Sequence, residues 1–264
     1  MSLVFVLVGA ACGDSGESDT SPKATGGVAV LDTIKAGKLS VCVDVPYAPF
    51  EFEEAGELKG VDIDLVKAIA KKVELEADFR DTDFDGIFAS LAAGNCDMIA
   101  SSVSITEERK KANNFSDGYF EIKQSLLVRK EDASRYTDFA TLAGRTIGVQ
   151  SETTGAEYGK TEGAKADVEV KEFTGADELF TALKAKQIDG VVQDFPINAY
   201  NAETTGETVV SKTFDTEPEE YGFVIPKTSA ALLEAVNGAL ADLRDDGTYD
   251  DILVEHLGEK TSSG

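Results

Sequence analysis

Asp85-Gly86-Ile87-Phe88-Ala89-Ser90-Leu91-Ala92-Ala93-Gly94-Asn95-Cys96-Asp97-Met98-Ile99-Ala100-Ser101-Ser102 lies without a gap over Asp177-Glu178-Leu179-Phe180-Thr181-Ala182-Leu183-Lys184-Ala185-Lys186-Gln187-Ile188-Asp189-Gly190-Val191-Val192-Gln193-Asp194. Asp, Phe, Leu, Ala and Asp coincide, and apolar positions mostly face apolar positions. Each copy reads as a helix, a turn and a buried strand that ends in polar residues. The repeat predicts two similar α/β lobes. In open α/β sheets ligands bind beyond the carboxyl ends of the strands, so the cleft between the lobes is the expected site.

The rest of the chain fits that frame. Ser40-Val41-Cys42-Val43-Asp44 and Thr146-Ile147-Gly148-Val149-Gln150 are equivalent strands, which makes Asp44 and Gln150 equivalent strand ends, as Ser102 and Asp194 are. A helix is expected over 60–73, with Leu65, Val66, Ile69 and Val73 on one stripe and with Asp62 and Asp64 capping its N-terminus. Ser104 and Glu107 have capping-box spacing and predict a short helix whose first turn carries Arg109. A cation there opposes the helix dipole and suggests an anionic partner; Glu107 and Glu108 are local alternatives. Ser151-Glu152-Thr153-Thr154-Gly155 opens a helix whose free N–H groups can hold an anion. Tyr221-Gly222-Phe223-Val224-Ile225 reads as one strand returning to the first lobe, and a closing helix over 230–244 buries Leu232, Leu233, Val236, Leu240 and Leu243.

Composition narrows the function. Of the 264 residues, 49 are Asp or Glu and 25 are Lys or Arg, a net charge of −24 that argues against a nucleic-acid partner. Leu3-Val4-Phe5-Val6-Leu7-Val8-Gly9-Ala10-Ala11 is too short to span a bilayer and is similar to a secretory h-region. Ala10-Ala11-Cys12-Gly13 resembles a bacterial lipobox, which implies lipidation of Cys12. Residues 13–27 are polar and small, and read as a flexible tether. Cys42 and Cys96 are both expected in parallel strands about three residues out of step, hence ~10 Å apart at ~3.3 Å per residue, beyond disulfide reach; both are read as buried free thiols. With one histidine, His256, no metal site, no cofactor and no Cys-His or Ser-His-Asp centre is expected.

Six stretches then carry a resemblance: Asp44-Val45-Pro46-Tyr47-Ala48-Pro49-Phe50-Glu51-Phe52, Gly60-Val61-Asp62-Ile63-Asp64-Leu65, Asp83-Phe84-Asp85-Gly86-Ile87, Ser104-Ile105-Thr106-Glu107-Glu108-Arg109, Phe115-Ser116-Asp117 and Asp246-Gly247-Thr248-Tyr249. In this order they resemble the polar-amino-acid solute-binding proteins of ABC importers, the family 3 extracellular solute-binding proteins. The resemblance implies a type II periplasmic-binding-protein fold, α/β with two hinge crossings: lobe 1 over 28–121 and 220–258, lobe 2 over 122–219, and a tail over 259–264. It implies a monomer that binds a free L-amino acid and delivers it to a membrane permease, without covalent chemistry and held to the membrane by the lipid on Cys12 or periplasmic.

The resemblance also implies roles. Arg109 grips the α-carboxylate, helped by Ser104 and by the turn at Thr153 and Thr154. Asp194 pairs with the α-ammonium beside the Ser102 carbonyl. Tyr47 and Phe84 sandwich the side chain. Asp44 and Gln150 face its far end, with Ser101 and Gln193 next to these strand ends. Glu152 stands where the family usually has glycine, which leaves open whether its side chain enters the pocket or points to solvent. Asp44 and the Ser101-Ser102-Val103-Ser104 run favour arginine or lysine, with glutamine next. The competing readings are a cyclohexadienyl-dehydratase-like enzyme on the same fold and the ligand-binding domain of a sensor.

Overall fold

The computed structural model describes residues 31–258; the h-region, Cys12, the tether and the tail over 259–264 lie outside the described residues. In chain order the elements are β1 (Lys38–Val43), β2 (Phe52–Glu54), β3 (Glu57–Lys59), α1 (Val61–Lys72), β4 (Glu76–Asp81), α2 (Phe84–Ala92), β5 (Met98–Ile99), α3 (Glu107–Ala112), β6 (Asn113–Phe115), β7 (Phe120–Ile122) and β8 (Gln124–Arg129). They continue as β9 (Thr146–Gln150), α4 (Thr154–Lys165), β10 (Glu169–Phe173), α5 (Ala176–Lys184), β11 (Gly190–Asp194), α6 (Phe195–Thr205), β12 (Thr208–Thr213), β13 (Glu219–Tyr221), β14 (Val224–Pro226), α7 (Ala230–Asp245) and α8 (Thr248–Leu257).

Two five-stranded sheets share one plan. The first runs β4-β1-β5-β14-β6 and the second β10-β9-β11-β8-β12. In each, three parallel strands are followed by antiparallel ones. The repeat found in the sequence maps onto α2–β5 and α5–β11, whose helices begin and end at equivalent positions. The turn after each helix enters the left-handed region, at Gly94 with φ 73° and at Lys186 with φ 59°. Asp97 N–H donates to the Ser40 carbonyl and Asp189 N–H to the Thr146 carbonyl, both at 2.7 Å, so the coincident aspartates fasten each repeat to the strand beside it.

The sheets are linked by a separate ribbon in which β13 pairs antiparallel with β7. The chain crosses from one sheet to the other there, once outward and once back. Tyr221-Gly222-Phe223-Val224-Ile225 is therefore not one strand, as the sequence reading had it. Gly222 N–H leaves the ladder to bond the Val103 carbonyl, and a Cβ there would meet Ile105 at 2.8 Å, so β13 ends before it and β14 starts after it.

Burial explains where the cores lie. Around the first sheet, Leu39, Val41, Leu65, Val66, Ile69, Val236 and Leu240 form one cluster between the strands and α1 and α7. Leu126, Val128, Ile147, Val149 and Val192 do so in the second. At Gly60, with φ 122°, a Cβ would sit 2.1 Å from the Phe50 carbonyl oxygen; the helix start is pressed against the Phe50 strand entry, where Asp62 N–H bonds that carbonyl.

Three local expectations are overturned. Cys42 and Cys96 form a disulfide, with Cα atoms 5.8 Å apart. β5 is only two residues long, so Cys96 lies before the strand, in the turn after α2, and packs with Cys42, Ile87 and Leu91 in one cluster. Asp62 and Asp64 do not cap α1, whose N-cap is Gly60 with no side-chain cap. Asp62 is instead buried beneath the first sheet's strand ends, and Asp64 pairs with Lys67 and His256. Ser104 does not cap α3 either: it stays extended in a bridge with Tyr221, and Thr106 caps the helix by accepting from Arg109 N–H at 3.1 Å.

Candidate functional site

The carboxyl ends of β1, β5, β9 and β11 meet across one cavity. Its lining is Asp44, Tyr47, Phe84, Ser101, Ser102, Ser104, Arg109, Gln150, Thr153, Thr154 and Asp194. Eleven of the twelve candidate pocket residues therefore share one space. The twelfth, Gln193, is fully buried behind it, where its side-chain amide donates to Gln150 Oε1 at 3.3 Å.

Among the described residues Arg109 is the one cation of the lining. α3 is short and its cap at Thr106 fixes the first turn, which aims the guanidinium across the cleft. One nitrogen donates to the Ser104 carbonyl at 2.9 Å and another to the Glu152 carbonyl, in the opposite lobe, at 3.0 Å. These bonds use two of the five guanidinium donors. The Phe84 and Phe88 ring centroids lie 5.6 and 5.3 Å from the guanidinium carbon, cation–π contacts that help hold the group. Burial holds its pKa below the ordinary value, while Glu219 and Asp194 pull the other way. Glu152 has φ 61° and an exposed side chain, so at this residue the pocket receives a backbone carbonyl rather than a second acid.

Asp194 ends β11. Tyr47 and Tyr221 hydroxyls donate to its Oδ2 at 2.8 and 2.5 Å, and the Gln124 amide donates to Oδ1 at 2.6 Å. Tyr47 belongs to the first lobe, Tyr221 to the ribbon and Gln124 to the second lobe, so a single carboxylate gathers donors from all three parts. Burial raises its pKa to about 6, with Glu219 adding to the rise and the three donors opposing it. Gln124, Glu219 and Tyr221 went unnoticed in the sequence. Gln124 reads there only as the start of a crossing and Tyr221 as strand core, and no local pattern distinguishes them.

Asp44 follows β1 directly and is the second acid of the lining. Gln150 reaches over from the second lobe and donates to Asp44 Oδ2 at 2.6 Å and to the Thr174 carbonyl at 3.0 Å. Burial raises the Asp44 pKa to about 7; the Gln150 bond lowers it, and Asp81, Asp83 and Asp177 add to the rise. The Ser104 and Thr154 hydroxyls lie 3.4 Å apart across the cleft. Thr153 caps α4, accepting from Ala156 N–H, which turns the helix N-terminus toward the cavity. The lining thus holds a half-buried cation and two buried acids, with hydroxyls of Ser104 and Thr154 beside one another across the cleft.

Among the described residues no group of three or more His, Cys, Asp and Glu is placed to hold a metal ion, and no helix is long and apolar enough to cross a membrane.

Comparison with known proteins gives one consistent answer. The glutamine-binding protein GlnH of an ABC transporter in Bacillus subtilis is 32% identical over 269 residues, covering 98% of this chain and 95% of its own. A solved ancestral arginine-binding protein bound to arginine superimposes with a TM-score of 0.79 at 37% identity, over 84% of this chain and 99% of its own. A solved ancestral arginine-binding protein bound to glutamine gives 0.79 at 38%, over 85% and 100%. The model of the bacterial extracellular solute-binding proteins, family 3, matches residues 39–259. With its duplicated sheets, its crossing ribbon and its polar interlobe cavity, the chain belongs to the bacterial extracellular solute-binding proteins of family 3.

Proposed function

We propose that this chain is an extracytoplasmic receptor for a free polar amino acid, arginine or lysine before glutamine, which it carries in the interlobe cavity to the permease of an ABC importer. The observation that carries the reading is the set of charges: Arg109, Asp194 and Asp44 line one cavity. A buried zwitterion is tolerable only when each charge is paired. Arg109, with the Ser104 and Thr154 hydroxyls, takes the α-carboxylate, where a bidentate pair is the strong arrangement. Asp194 takes the α-ammonium. Tyr47 and Phe84 flank the aliphatic stem, and Asp44, oriented by Gln150, takes a cationic or amide end.

Binding favours the closed arrangement only if the ligand touches both lobes. Arg109 and Asp194 come from opposite lobes, so one zwitterion ties them together. The Cys42–Cys96 disulfide fits an oxidising compartment. Lipidation of Cys12 and a monomeric state belong to the same proposal. Turnover is not part of it: Arg109 and Asp194 are committed to the α-groups and Asp44 to the side-chain end, and among the described residues no Lys or His lines the cavity to act on a leaving group.

A thermal-shift screen with the twenty amino acids tests the reading. Arginine or lysine should raise the melting temperature most and be recovered unchanged from the mixture. A ligand that is consumed would point to the dehydratase-like alternative, and no shift with any amino acid would contradict the proposal.

A further inference from the structure

Behind the cavity floor lies a second pair of acids that the amino-acid reading does not use. Glu51 and Asp62 are both fully buried. Asp62 accepts from Ser102 N–H and from the Tyr119 hydroxyl, each at 2.6 Å. Glu51 Oε1 accepts from the Ser101 hydroxyl at 2.7 Å, and that hydroxyl in turn accepts from Asp44 N–H at 3.0 Å. Glu51 Oε2 has no donor among the described residues, although it is sealed from solvent. Its neighbour is the Asp62 carboxylate.

An ionised Glu51 would face Asp62 with like charge and an unsatisfied oxygen. A protonated Glu51 turns that oxygen into a donor and gives it an acceptor in Asp62. We propose that Glu51 and Asp62 share one proton, and that this acid pair positions Ser101 and Ser102 in the floor of the cleft. Ser102 has φ 48°, a conformation a non-glycine residue holds only when its surroundings fix it; its N–H is fixed by Asp62. Through Ser101 the pair also fixes the backbone of Asp44. The two acids are thus positioning residues for three residues of the cavity lining.

The groups facing Glu51 are Asp62 from α1, Ser101 after β5, Asp44 at the end of β1, Tyr47 in the loop that follows and Tyr119 before β7. None is a cation. Burial, then the charge of Asp62, raises the Glu51 pKa well above the carboxylate range. The folded state therefore binds a proton that the unfolded chain releases near pH ~4.3. Stability from this source is complete below that pH and falls as pH rises toward the folded value, by about tenfold in the unfolding constant per pH unit for one proton.

Only the affinity arm of the test depends on the amino-acid reading. In the free wild-type protein, the ¹³C resonance of the Glu51 carboxyl should still report the protonated form at pH 7. Glu51→Gln can donate to Asp62 and accept from Ser101, so it should remove one tenfold-per-unit contribution from the slope and leave those of Asp44 and Asp194. It should also leave the Ser102 amide resonance in place and hold L-arginine affinity within about threefold. Glu51→Leu keeps the volume but loses both bonds; it should move the Ser102 resonance and weaken L-arginine at least tenfold. Titration of Glu51 at an ordinary carboxylate value would overturn the proposal, as would parallel stability curves for wild type and Glu51→Gln. Equal loss of L-arginine in the Gln and Leu variants would overturn the positioning role. If wild type does not bind L-arginine while the slope and the Ser102 shift are present, the acid pair stands and the ligand assignment falls.

Discussion

Asp44 is the residue on which the ligand class turns. Free, it is buried against Gln150 and holds its proton up to about pH 7. A guanidinium or ammonium needs the ionised form. Affinity for L-arginine should therefore rise with pH through 7 and level off above, with at most about tenfold per unit below; affinity for L-glutamine, whose amide carries no charge, should change less. Asp44→Asn sharpens the contrast. Loss of the counter-charge should cost L-arginine about 2–4 kcal/mol, as for one member of a buried charged pair. An amide ligand should lose nearer ~1 kcal/mol, the net worth of an ordinary hydrogen bond. Calorimetric titrations at pH 6 and 8 check both. A small loss, with wild type preferring glutamine, would move the assignment to the neutral amide.

At the same scale, the acids show what a linear reading can miss. Asp44 and Asp194 are strand ends, and strand ends are legible from apolar runs that stop in polar residues. Asp62 lies behind the cavity floor, but its neighbourhood looks like a helix start, where an aspartate has an ordinary local use. Its real partners, Ser102 and Tyr119, are 40 and 57 positions away in the chain. Nothing local announces such a pairing.

Among the elements, the helices and strands of the repeat were the most legible. α2 and α5 start and stop together because both copies keep the same apolar stripe and the same aspartate that fastens the turn to the next strand. The edges were harder to read. β4, with its charged Glu76-Ala77-Asp78-Phe79-Arg80-Asp81 run, is only partly buried and shows no apolar run at all. α6, with Phe195-Pro196 at its start and a mixed face, was equally silent. The disulfide was misjudged because the strand near Cys96 was taken as longer than it is. Its loop spans 54 residues of sequence, so the chain-entropy relation gives it about 4 kcal/mol. Denaturant unfolding of wild type against a Cys42→Ser/Cys96→Ser variant should show a loss of that order; coincident curves would mean that the bridge is absent in solution or constrains nothing. Gly60→Ala should be worse tolerated than its small size suggests. The added Cβ would collide with the Phe50 carbonyl at 2.1 Å, and overpacking of this kind typically costs about 1–3 kcal/mol. A Gly60→Ala protein as stable as wild type would show that the helix start moves freely.

For the whole molecule, the two sheets meet through the ribbon and through bonds that cross the cleft: Arg109 to Glu152, Gln150 to Asp44 and Tyr47 to Asp194. These few polar contacts are what a ligand in the cavity would reinforce. Small-angle scattering should therefore give a smaller radius of gyration with saturating L-arginine than without it; equal radii would argue against ligand-driven closure. The account as a whole rests on a zwitterion held between Arg109 and Asp194. The most direct measurement is a calorimetric titration of wild type and Arg109→Ala with L-arginine at pH 8. Wild type should bind one equivalent. The variant, which leaves the α-carboxylate buried without its partner, should lose about 3–5 kcal/mol, more than a hundredfold in affinity. Unchanged affinity in Arg109→Ala, or no binding of any amino acid by wild type, would contradict it.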